Sequence, residues 1–158
     1  MATALPGRPR LSPGIFPRSG MRNLKRLKAE IQLCEQVYGK THVFWSNDYS
    51  WVQVNQVKLP AGFNQERTNM LIIIPDFYQY GVGLEEAYIN PGLKMNREGK
   101  WVEVPHYFGN RHGHFNKYVD KGWCWVCVHP NWQLEDNLLT FIEMLLIQLS
   151  EIQQGKRG

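Results

Sequence analysis

Between Val104 and Trp132 the chain gathers the side chains that could do chemistry. The stretch VPHYFGNRHGHFNKYVDKGWCWVCVHPNW holds four of the five histidines and two of the three cysteines. Three kinds of site fit this composition. Cys124-x-x-Cys127 is half of a zinc site, with His106, His112, His114 and His129 as further ligands. Zinc sites usually pair two knuckles, however, and His112-x-His114 has the spacing of one face of a strand. The H-x-E of a zinc deaminase is missing. The same two cysteines have the spacing of a thiol redox pair, but no βαβ pattern surrounds them. Trp123 and Trp125 alternate with Cys124, Val126 and Val128, which suits an extended chain better than the helix N-terminus that activates a redox thiol. The third possibility is a thiolate nucleophile that forms a covalent acyl intermediate.

The elements that must position this cluster are legible on both sides of it. Leu24, Leu27, Ile31, Leu33, Cys34 and Val37 recur at helical spacing within residues 21–38, and Gly39 is a plausible stop. Strand signals follow at His42–Trp45 and Trp51–Val57, with Asn47-Asp48 as turn chemistry between them. Leu59–Phe63 reads as a turn. Asn69–Ile74 reads as a central strand stopped by Pro75. From Pro75 to Lys121 helical periodicity is absent, and residues 84–90 and 99–104 read as a further strand and part of a hairpin. Leu138, Phe141, Ile142, Leu145, Leu146, Leu149 and Ile152 then form one apolar helix face. Glu135 and Asp136 stand at its start, where the helix dipole favours negative charge. Helix, meandering strands, irregular segment and helix predict an α+β fold with an antiparallel sheet.

Charge and cysteine content narrow the function class. The 158 residues suit one domain, and 43% hydrophobic with 20% charged residues is a globular composition. The longest apolar run, Met70–Pro75, is far short of the roughly 18 residues of a membrane span. No secretory h-region is visible, so no membrane partner is expected. The net charge of +4 divides into +7 over residues 1–29 and −3 over residues 30–158. The basic charge therefore lies on an appendage rather than on the folded surface, and nucleic acid is not the expected partner. Residues 1–20, rich in Pro, Gly and Arg, read as a disordered arm, and Met21 is an alternative start. Residues 21–154 read as the domain and 155–158 as a flexible tail. Three cysteines do not make a disulfide framework, and they point to a reducing cytoplasm. Cys34, on the apolar face of the first helix, reads as core.

The spacing around Cys124 resembles that of the ubiquitin-conjugating enzyme superfamily. Members carry a His-Pro-Asn tripeptide ten residues before the active cysteine, a Trp eight residues after it, and then a helix. Here the corresponding residues are His114-Phe115-Asn116, Cys124 and Trp132, followed by the Leu-rich helix. The middle Pro is replaced by Phe115, Gly122 lies one residue nearer the cysteine than usual, and Leu134 stands where a Pro is common. A literal His129-Pro130-Asn131 follows both cysteines and is read as a decoy that ends the extended segment. Upstream, Leu59-Pro60-Ala61-Gly62-Phe63-Asn64 and Pro75-Asp76-Phe77-Tyr78 are similar to the strand and P-x-x-Y turn of the family. The pattern over roughly residues 22–152 is most similar to the prokaryotic branch named E2 family E.

That resemblance implies a ubiquitin-conjugating-type α+β fold and a transferase. A ubiquitin-like modifier would pass from an activating enzyme to Cys124 as a thioester, and then to an amine of a substrate protein. Asn116 would stabilise the oxyanion, an effect worth about 10²–10³ in rate elsewhere. His114 would hold the Asn loop, and Trp132 would support the site. Cys127 is the second-choice nucleophile on spacing alone; two cysteines three apart on an extended chain face opposite sides, so one can point to a cleft while the other packs inward. No cofactor or metal is implied. Bacterial operons of this kind, often with a deubiquitinase-like peptidase, are associated with antiviral defence. The loop carrying Phe77, Tyr78 and Tyr80 reads as an exposed partner-binding loop, and most of the six tryptophans read as core. Two alternatives stay open: a non-catalytic binding module of the same fold, and a small zinc-stabilised domain.

Overall fold

The computed structural model describes residues 21–105, 107–108 and 117–156. Helix α1 spans Leu24–Tyr38, as its apolar spacing predicts. The Asn23 side chain accepts from the Arg26 amide at its start, and Gly39, at φ 96°, ends it. A 3₁₀ turn at Lys40–His42 leads into β1 (Val43–Trp45), β2 (Trp51–Lys58) and β3 (Arg67–Ile73). The β1–β2 turn is built by Ser46, Asp48 and Ser50, and hydrogen bonds from Ser50 and Ser46 hold the Asp48 carboxyl down to about 2. Strand β4 is Ala87–Ile89, and β5 (Lys94–Arg97) pairs with β6 (Lys100–Glu103) as a separate hairpin. β7 (Tyr107–Phe108) and β8 (Cys124–Val126) complete the strands. One helical turn, α2 (Lys117–Asp120), interrupts the stretch expected to lack helix. Helix α3 spans Leu138–Gln153.

The sheet is antiparallel, in the order β1-β2-β3-β4-β8-β7. Five of its strands have three to eight residues, and β7, with two, lies at the edge. The fold is therefore α+β. Period-two alternation divides the sheet residues between its faces. Val52, Val54, Met70, Ile72, Ala87, Ile89 and Val126 join Leu27, Ile31 and Cys34 of α1 and the apolar face of α3 in one core. Burial pushes the Cys34 thiol up to about 12, with Glu30 and Glu35 adding to the effect. No helix among the described residues is long and apolar enough to cross a membrane.

Two expectations at the ends of α3 are corrected. Glu135 and Asp136 precede the helix, and Asp136 spends its carboxylate on the Gln133 amide. A capping box between Asn137 and Thr140 satisfies part of the N-terminus instead, and the negative charge there comes from Glu30 of α1. At the other end Gly155, at φ 78°, and Lys156 return hydrogen bonds to Ile152 and Glu151. They form a Schellman cap, so the first half of the expected tail is part of the helix terminus.

Candidate active site

The two cysteines of the central cluster have different surroundings. Cys124 opens β8 and pairs with Ile89, in register with Trp125 against Tyr88 and Val126 against Ala87. It shares the core-facing parity of Val126 and Val128 and is packed against that core. Among the described residues its Sγ reaches the Trp125 carbonyl, at 3.7 Å. Burial, and then the Glu103 carboxylate, push its thiol above the ordinary range. A thiol is nucleophilic as the thiolate, so this environment disfavours the reactive form.

Cys127 lies just beyond the last paired residue of β8. It is half-buried, and its Sγ is 3.1 Å from Nε2 of His129. Residues two apart on an extended chain share a face. Pro130 holds His129 in the extended region, because a residue before proline is disfavoured in the helical one. The carbonyl of Cys127 accepts a 2.7 Å hydrogen bond from Nε2 of Gln148 on α3. A thiol within hydrogen-bond reach of an imidazole is the minimal arrangement of nucleophile and base. The geometry thus favours Cys127 over Cys124, the reverse of the order that spacing gave. The signal was in the sequence as Cys127-x-His129-Pro130, which runs into the tripeptide read as a decoy.

Trp132, expected to support the site, is half-buried and packs against the core. Its indole lies 6.0 Å from the Tyr78 ring and 6.4 Å from Phe141, centroid to centroid. A Cβ built on Gly83 would come within 2.1 Å of the indole, so only glycine fits beneath it. Tyr78 is fully buried rather than exposed, which corrects the reading of its loop; Tyr80 and Val82 do face solvent. The phenol of Tyr78 donates to Oε1 of Glu30 at 2.5 Å. Gln79 Nε2 donates to Oε2 at 3.0 Å, and the Leu138 amide donates to Oε1 at 2.9 Å. Arg26 Nε adds an ion pair at 3.6 Å. Glu30, only 3% exposed, therefore ties α1, the 75–83 loop and the α3 N-terminus together. Burial, and then the carboxylate itself, raise the Tyr78 pKa, so the phenol remains a donor. Phe77 and Gln79, which flank Tyr78, both lie in the left-handed region at φ 63°; Gln79 is tied to Glu30 by its side chain, and the Phe77 amide donates to the Met21 carbonyl at 2.7 Å.

His106, His112, His114 and Asn116 lie outside the described residues. Among the described residues no three His, Cys, Asp or Glu side chains are grouped to hold a metal. The reading of most tryptophans as core is corrected: Trp45 and Trp101 are exposed, and Trp51, Trp123, Trp125 and Trp132 are only half-buried. No protein-family model, curated protein or solved structure matches the chain.

Proposed function

We propose that the chain is a transferase of the ubiquitin-conjugating type in which Cys127, assisted by His129, is the acceptor thiol. The single observation that carries this reading is the 3.1 Å contact between Cys127 Sγ and His129 Nε2 on a half-exposed segment. The Cys127 proton passes to the imidazole, and the thiolate attacks the carbonyl of a ubiquitin-like protein held as a thioester by its activating enzyme. A new C–S bond forms, the old one breaks, and the departing thiolate takes up a proton. A substrate amine then attacks the Cys127 thioester; the C–S bond breaks, and the amine proton returns to the thiol through His129. The order of elements supports the same reading, with an N-terminal helix and antiparallel meander leading through an irregular segment to a C-terminal helix. Trp132 would hold the segment in place; the roles that the family resemblance gives Asn116 and His114 are tied by spacing to Cys124 and go with the outcome in which Cys124 is the acceptor. A cytoplasmic location and a part in defence against viruses go with this proposal.

The test is a charging assay with activating enzyme, modifier and ATP, read on gels with and without reductant. A reductant-sensitive adduct that survives Cys124→Ala, is lost in Cys127→Ala and is weakened in His129→Ala is the expected result. An adduct lost only in Cys124→Ala keeps the activity and overturns the assignment to Cys127. A second reading, a binding module of the same fold, is favoured by the packing of Cys124, the cysteine at the family spacing, against the core. The absence of any adduct, with the activating enzyme shown to be charged, would establish that reading instead.

A further inference from the structure

Helix α3 carries one buried amide on an otherwise apolar face. Leu138, Phe141, Ile142, Leu145, Leu149 and Ile152 are fully buried beside Gln148, which is 7% exposed. An amide removed from water is costly unless it is hydrogen-bonded. The Gln148 bond goes to the Cys127 carbonyl, at 2.7 Å. The sheet ladder ends one residue earlier, at Val126, which is in register with both Ala87 and Tyr107. Gln148 thus takes over from the ladder at the residue where the thiol emerges. The carbonyl it holds belongs to the peptide joining Cys127 to Val128. Its direction sets ψ of Cys127, one of the torsions that separate Sγ from the His129 ring. Burial of Val128 and the Pro130 ring restrain the neighbouring torsions. A leucine at position 148 would fill the same space but leave this torsion unrestrained.

We infer that Gln148 is a positioning residue for the Cys127–His129 pair, acting from α3 through the Cys127 carbonyl. The inference rests on the proposed role of that pair. It is tested by site-resolved alkylation of the full chain with iodoacetamide at neutral pH. Gln148→Met, close in volume but without a donor, should slow labelling of Cys127 roughly tenfold, as His129→Ala does, and leave Cys124 within about twofold. In the His129→Ala background Gln148→Met should add nothing. Gln148→His, which keeps a ring N–H, should restore part of the rate. If Gln148→Met matches the unsubstituted chain while His129→Ala is slow, Gln148 only fills space and the inference fails. An equal slowing in the His129→Ala background also overturns it, since Gln148 would then act by general loosening. If His129→Ala is without effect, it is the pair itself that fails. In the unsubstituted chain, alkylating Cys127 should also shift the Gln148 side-chain amide resonances; unchanged resonances count against the inference even if the variants do not fold.

Discussion

Glu30 and Cys127 are both titratable groups close to helix α3, and their surroundings could hardly differ more. Glu30 is buried at the helix N-terminus and accepts from a phenol, a side-chain amide and a backbone amide, with a guanidinium alongside. Cys127 stands at the exit of β8, where its thiol meets one imidazole and its carbonyl is held from α3. A buried carboxylate with so many donors on its oxygens is stiff and chemically quiet, and losing any partner is expensive. A half-buried thiol with an imidazole within hydrogen-bond reach is placed to meet an electrophile. The first arrangement holds the molecule together, and the second leaves a group available to react.

Five substitutions, one of them read as a pH titration, would break or sharpen that contrast. Glu30→Ala strands the Tyr78 phenol and the Leu138 amide without their acceptor and should cost about 3 kcal/mol in a denaturant titration. A cost below about 1 kcal/mol, the worth of an ordinary hydrogen bond, would show that the carboxylate is not what joins α1 to α3. Gly83→Ala forces a Cβ into the Trp132 indole and should cost about 2 kcal/mol, seen as a lower denaturant midpoint at unchanged slope. Cys34 gives a pH-dependent loss. Its folded pKa is raised from 9.0 to about 12, so the neutral thiol stabilises the fold fully below 9.0. That stabilisation declines as the pH climbs from there through about 12. Cys34→Ala should flatten the alkaline arm of the stability profile, and a profile of unchanged steepness would contradict the buried environment. Cys127→Ser and His129→Ala should each move stability by less than about 0.5 kcal/mol, since neither completes a buried network. A large loss in either would place the pair with the structural groups rather than the reactive ones.

Periodicity alone was enough for α1, α3 and the β2–β3 pair, because most of their apolar residues face one core and the pattern repeats over two or more turns or several strand residues, even though Leu24, Leu33, Val37 and Ile147 are exposed. The turn at Ser46–Ser50 and the stop at Gly39 were legible for the same local reason: the Ser and Asp side chains, and the positive φ of the glycine, act on backbone within five residues. The candidate site was legible as a region, since nothing else in the chain concentrates thiols and imidazoles. Its internal order was not. Family spacing pointed to Cys124, but which cysteine turns inward depends on the parity of β8 relative to β4, and that is set by partners at Ala87–Ile89. Glu30 stands 108 residues before Leu138 and 48 before Tyr78. No local pattern marks a glutamate on α1 as the cap of α3. Gln148, one polar residue in a long apolar helix, likewise shows its purpose only when the Cys127 carbonyl is brought to it. Local interactions determined which segments are helix and strand. Contacts between residues far apart in the chain, formed only when helices and sheet close on one another, decided which of the two half-buried thiols packs against the core, and what holds each in place.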